Sequence, residues 1–170
     1  MPNSIAMRPV TAADVPAIEA LHDRAFGPGR YVRTAYRIRE GLPAFSPLCR
    51  VAVSGEKLLA AVRMAPIRVG GHNHAQLLGP LAVEPPLRGQ GIAKRLAAEA
   101  LVSAREAGDR LVLLVGDLSY YGRFGFNVAP PGRFDPGGPV DPGRLLFLEL
   151  TPGALADYAG RIEADHTRAS

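Results

Sequence analysis

Three β-rich runs crowd residues 50–83: RVAVSG, LLAAVRMAPIRVGG and HAQLLGPLAV. Each is short and aliphatic, and glycine-containing turns separate them, which predicts an antiparallel meander of adjacent strands. The next run, IAKRLAAEALVSAREAG, repeats Ile92, Leu96, Ala100, Ala104 and Ala107 about one helical turn apart and stops at Gly108. RLVLLVG then runs apolar without alternation as far as Gly116, the pattern of a strand buried on both faces. A strand, a helix and a further strand in this succession form one right-handed crossover. The expected fold is therefore α/β, with a mixed, mostly antiparallel sheet flanked by helices.

The flanking segments fit that frame. SIAMRPV reads as a short strand. Thr11 with Asp14 three residues later forms a cap-like pair opening AADVPAIEALHDRAF, a helix packed through Val15, Ile18, Leu21 and Ala25. YVRTAYRIREG predicts a second helix ended by Gly41 and Pro43. After LSYYGRFGF, residues 130–143 are dense in proline and glycine and read as a loop. RLLFLEL returns as a strand, and PGALADYAGRIEADH predicts a last helix with proline in its first turn. With no repeat, linker or charge block, residues 1–170 are expected to form one domain.

A chain of 170 residues buries roughly 70% of its unfolded surface, enough for a core without staples. The single cysteine, Cys49, excludes an internal disulfide, offers no metal cluster and reads as a small buried residue. The start lacks a charged leader followed by an apolar core, and no run of about 18 apolar residues occurs, so a soluble, cytoplasmic protein is expected. The net charge is +4, and all the basic residues except Lys57 and Lys94 are arginine. That excess suits an anionic ligand without demanding nucleic acid. The arginine, alanine, glycine and proline bias matches a base-composition signature, read here as bacterial-like.

RGQGIA, residues 88–93, stands between the last meander strand and the long helix. The first turn of a helix leaves backbone N–H groups unpaired and carries about half a positive charge. Gly89 and Gly91 remove the Cβ atoms that would keep an oxyanion away, and Arg88 adds a charged fork at the rim. Phosphate or pyrophosphate is the implied guest, with a purely structural turn as the alternative. GQGIAK lacks the third glycine of a dinucleotide fingerprint and the lysine-serine or lysine-threonine ending of a triphosphate loop.

LAVEPPLRGQGIAKRL resembles the acyl-coenzyme A motif of the GNAT superfamily of N-acetyltransferases, with Arg88, Gly91 and Ala93 at its key positions. YYGRFGF is similar to that family's later tyrosine and Gly-Phe motif, and MRPVTAADVPAI to its first strand and helix. The resemblance implies a GNAT-like sheet with a splayed strand pair holding acyl-CoA. It implies that the pyrophosphate rests on the amides of Arg88, Gly89, Gln90, Gly91, Ile92 and Ala93. Leu81, Ala82 and Val83 would pair with the pantetheine arm, and an amide near Leu81 would meet the oxyanion. Tyr121 takes the place of the general acid, with Tyr120 as the rival.

No carboxylate occupies HAQLLGPLAV, so the family's strand glutamate has no counterpart. Asp117 is expected to cap the helix after it, with action as a base through water as the alternative; Glu84 lies close to the implied pyrophosphate, and His74 reads as a solvated turn or strand-edge residue. The general base stays unassigned. Arg33 and Arg37, four apart, with Tyr36 beside them, are candidates for recognising an anionic group on the acceptor, against a plain solvated basic face. The resemblance thus implies acetyl transfer from acetyl-CoA to a primary amine of a small molecule or peptide by direct attack, without a metal. A catalytically weak coenzyme A sensor is the alternative, and an RNA-linked acyltransferase a third. Neither a membrane nor a nucleic-acid partner is expected, and the oligomeric state is open, a homodimer included.

Overall fold

The computed structural model describes residues 4–27, 29 and 33–168. β1 (Ala6–Pro9) pairs antiparallel with β2 (Arg50–Ser54), β2 with β3 (Lys57–Val69), and β3 with β4 (His72–Val83). This is the expected meander with the first strand added at its edge. β5 (Leu111–Val115) lies parallel to β4. Beyond it, β6 (Asn127–Val128) and β8 (Leu145–Glu149) complete the order β1-β2-β3-β4-β5-β8-β6.

Three helices before and inside the crossover cover the sheet. α1 (Val15–Phe26) seats Leu21 in a cluster with Val51, Ala61 and Ala82. α2 (Thr34–Ile38) follows it, and α3 (Ile92–Glu106) links β4 to β5. Leu96, Ala100 and Ala104 of α3 pack on Val62, Met64, Val112, Leu114 and Phe126. Ile67, Leu77, Leu111 and Leu113 point to the opposite face, where Phe134 and Tyr158 cover them. Alternate residues of β5 therefore enter different cores, which is why its sequence reads as an unbroken apolar run. A fourth, single-turn helix, α4 (Leu118–Tyr121), leaves the end of β5. No helix among the described residues is long and apolar enough to cross a membrane.

Two expectations are corrected. The second helix covers only Thr34–Ile38; Tyr31 and Val32 lie outside the described residues. The predicted last helix is a strand. PGALADYAGRIEADH makes one 3-10 turn at Ala154–Asp157, and then β9 (Gly160–Ala164) pairs antiparallel with Ile67, Arg68 and Val69 of β3. β2 pairs β3 only over residues 57–62, so the far half of that edge of β3 needs a partner, and β9 supplies it. Tyr158 leaves the turn to bury its ring and donate its hydroxyl to the Asn73 carbonyl at 2.6 Å. The proline-glycine loop holds one short strand, β7 (Phe134–Asp135), parallel to β9.

β4 and β5 pair only at Ala75–Leu111, Gln76–Val112 and Leu77–Leu113. β4 continues to Val83 and β5 to Val115 without further pairing, so the two strands splay. A register shift between β3 and β4, where Val62 faces Leu81 but Met64 faces Leu78, puts an extra residue on β4 around Gly79 and Pro80. Such a bulge bends the strand where it leaves its neighbour.

The entry to α1 carries a test of its own. Asp14 accepts from the Thr11 N–H at 2.8 Å and is clasped by both terminal nitrogens of Arg8 at 2.7 and 2.8 Å. The Arg8 guanidinium, aided by the Thr11 amide, holds the Asp14 carboxyl well below the usual carboxylate range. A carboxyl depressed in the folded state stabilises it above the unfolded pKa and loses that contribution as pH falls toward the folded value. Asp14→Asn should cost about 1–2 kcal/mol at neutral pH. In urea titrations, the gap to the wild type should close progressively below about pH 4; a gap constant with pH would refute the assignment.

Candidate active site

The splay between β4 and β5 opens into a cleft of about 1040 Å³. One side consists of Leu78, Gly79, Pro80, Leu81 and Arg88 from β4 and the turn after it. Val115, Gly116 and Asp117 come from the end of β5, and Tyr120 and Tyr121 from α4. Phe26, residues 33–36 and Arg39 face them together with Pro139, Val140, Asp141 and Arg144. Thr34 Oγ1 donates to the Pro139 carbonyl at 2.7 Å, tying α2 to the proline-glycine loop as one wall.

One edge of β4 is fully used here, since Leu81, Ala82 and Val83 pair with Val62, Ala61 and Ala60 of β3. The edge facing β5 has no strand partner beyond Leu77. Leu81 is half-buried, while Ala82 and Val83 are buried. The glycine turn lies at the far end. Gly89 and Gly91 both have φ of +83°, and Gly91 caps α3 in the left-handed conformation. A Cβ added at either would meet nothing within 4 Å, so both face open space. The first helical bond runs from the Arg95 N–H to the Gly91 carbonyl, leaving the amides of Ile92, Ala93 and Lys94 without an acceptor in the helix. Arg88 differs: its N–H is already donated to the Pro85 carbonyl at 3.3 Å, so this residue offers its side chain. Arg88, Gly89, Gln90 and Gly91 are exposed, Ile92 is buried and Ala93 half-buried.

The two tyrosines share the other end. Tyr121 packs edge-on to Tyr120 with centroids 4.9 Å apart, and also touches Phe124 and Phe126. Its ring covers Gly116 so closely that a Cβ there would lie 2.5 Å from a ring carbon. Burial pushes the Tyr121 phenol up to about 12, with Tyr120 and Asp117 adding to the rise. Burial also raises Tyr120, opposed by Arg123. Both phenols are therefore protonated donors at neutral pH.

The acids offer less than their positions promise. Asp117 precedes α4, but its side chain makes no cap; its carbonyl accepts from the Tyr120 and Tyr121 amides, and its carboxylate meets Arg144 at 3.2 Å. Glu84 is paired with Arg24, and His74 is exposed on β4 away from the cleft. Cys49 is buried. Among the described residues, no group of three or more histidine, cysteine or acidic side chains could hold a metal ion.

Of the proposed acceptor residues, Arg33 and Tyr36 line the cleft, but Arg37 is exposed and does not. The helix is too short for the four-residue spacing to set a shared face, and Arg33 sits at its N-cap. The arginine that enters the cleft is Arg39, just past the end of α2. It is buried, stacks over the Tyr36 ring at 4.5 Å and donates to the Gly79 carbonyl at 2.8 Å. Helical spacing gave no signal for it, because a backbone turn at the end of α2 aims it inward.

Comparison with known proteins agrees with this geometry. A family model for an acetyltransferase (GNAT) domain matches residues 6–129. The uncharacterized N-acetyltransferase YhbS of Escherichia coli K12 is 36% identical over 118 residues, spanning 68% of this chain and 70% of that protein. The crystal structure of the E. coli GNAT family N-acetyltransferase YhbS in complex with CoA superposes with a TM-score of 0.81 at 29% identity, covering 96% of this chain and 91% of that one. A GNAT family acetyltransferase from Brucella melitensis in complex with acetyl-CoA gives 0.72 at 25% identity, covering 99% of each chain. The mixed, mostly antiparallel sheet and its flanking helices match these structures, and the chain belongs to the GNAT family of acetyltransferases.

Proposed function

We propose that residues 1–170 act as one cytoplasmic domain that transfers an acetyl group from acetyl-CoA to a primary amine of a small molecule or peptide, by direct attack in a ternary complex. The observation that carries this reading is the unpaired β4 edge, which leads from the tyrosine end of the cleft to the glycine turn. A pantetheine arm fits such an edge as an added strand would. The CoA-bound and acetyl-CoA-bound relatives support that occupant. The open space beside Gly89 and Gly91 suits a pyrophosphate, held by the amides of residues 89–93 and the Arg88 side chain.

Acetyl-CoA supplies a thioester whose sulfur leaves as a thiol of ordinary pKa near 8.5. The neutral amine adds to the carbonyl carbon, and the Leu81 amide receives the developing oxyanion. As the carbon-sulfur bond breaks, Tyr121 hydrogen-bonds the departing sulfur, and the extra proton on nitrogen passes through water to that sulfur, which leaves as the thiol. A phenol near 12 is a weaker acid than the thiol, so Tyr121 acts chiefly as a hydrogen-bond donor to sulfur. No carboxylate is needed if the acceptor enters unprotonated.

Gly91→Glu should abolish CoA binding by calorimetry while circular dichroism stays native, because the new carboxylate enters the anion site. Unchanged affinity would sink the loop assignment. Tyr121→Phe should lower kcat by about 10- to 100-fold and change CoA affinity little. Gly116→Ala keeps the phenol but displaces its ring, and should reproduce that loss. A wild-type rate in Tyr121→Phe would move the role to Tyr120 or to no acid. CoA binding without thiol release across an amine panel would favour the sensor.

A further inference from the structure

Arg39 is 4% exposed and lines the cleft, yet no carboxylate among the described residues pairs with it. Among the described residues its guanidinium donates to the Gly79 carbonyl alone, and Nε is enclosed without a partner. A second cation, Arg63, half-buried and bonded to the Pro43 carbonyl at 2.8 Å, acts on it by repulsion. Burial, with Arg63 adding to it, draws Arg39 down to about 10, so it still carries its charge at neutral pH. The acids that share the cleft are engaged elsewhere: Asp117 with Arg144, and Asp141 with the Gly143 amide. A buried cation without a counter-ion is costly, and leaving it so in an open cleft is reasonable where a ligand brings the missing charge.

The placement narrows that ligand. Arg39 holds Gly79, two residues before Leu81, whose amide belongs to the proposed reaction centre. An anion on Arg39 is thus only a few bonds away from an amine attacking at Leu81. One guanidinium balances one negative charge, and its planar edge matches a carboxylate. Arg33 and Arg144, the other arginines on this wall, are exposed and add no second buried charge for a phosphate dianion.

We propose that Arg39 anchors a carboxylate of the acceptor, so that the acceptors are small primary amines carrying a carboxylate a few bonds from the nitrogen. This rests on the acetyltransferase reading above and names its substrate class.

The test compares glycine and β-alanine with their carboxamides and with phosphoethanolamine, rates being scaled to the unprotonated amine. A second arm uses no turnover: N-acetylglycine and N-acetyl-β-alanine, against their amides, are titrated calorimetrically into the protein with free CoA. The acids should exceed the amides by about tenfold or more in kcat/KM and in affinity. Arg39→Met should collapse the acid-to-amide ratio toward one in both arms, and Arg39→Lys should restore part of it. Equal values for acid and amide in the wild type, a preference for phosphoethanolamine, or an unchanged ratio in Arg39→Met would overturn the anchor. Neutral amines turning over without preference would remove the anchor and leave acetyl transfer standing. Acid-selective binding with no thiol release on any amine would keep the anchor and remove acetyl transfer.

Discussion

Parallel pairing between β4 and β5 stops at Leu77 and Leu113, although both strands run on. Backbone amides and carbonyls that lose a ladder partner must find water or another polar chain, because leaving them dry is costly. The cleft is the result of that constraint. The edge of β4 that it exposes is left with unpaired backbone groups beyond Leu77. The bulge around Gly79 bends β4 away and gives Arg39 a carbonyl to hold. The glycine turn follows directly, so the free strand edge and the helix mouth of α3 lie on one continuous path.

The opposite end is fixed by packing. Gly116 leaves room for the Tyr121 ring to lie against the end of β5, and Tyr120, Phe124 and Phe126 confine it there. The same enclosure keeps the phenol protonated. Position and protonation state thus have one cause, the burial of a ring over a residue without a side chain. Asp117 sets the start of α4 through its carbonyl, and its carboxylate is drawn outward by Arg144.

Features set by local chemistry were legible in the sequence: the meander, the α3 stripe, the two-faced burial of β5, the Thr11–Asp14 cap and the glycine turn. Features set by distant partners were not. β9 reads as a helix because nothing near residue 160 reveals that half of one edge of β3 lacks a neighbour. Arg39 is hidden for a similar reason: its burial depends on Gly79, forty residues away, while the exposed Arg37 satisfies the helical spacing better. The resemblance puts the Arg88 amide in the anion nest, but the 3-10 turn before it takes that N–H first.

The wall facing β4 joins two segments a hundred residues apart, and its one described polar tie is the hydrogen bond from Thr34 to the Pro139 carbonyl. The side formed by β4 and β5, by contrast, is built within a single crossover of the sheet. The two halves of the cleft therefore have separable mechanical foundations. Substitutions in α2 or the proline-glycine loop can reshape one chamber while the strands and α3 that define the other stay in register. A scaffold arranged in this way can redraw one surface wall of its cleft while the strands and helix of the other are preserved as a fixed module.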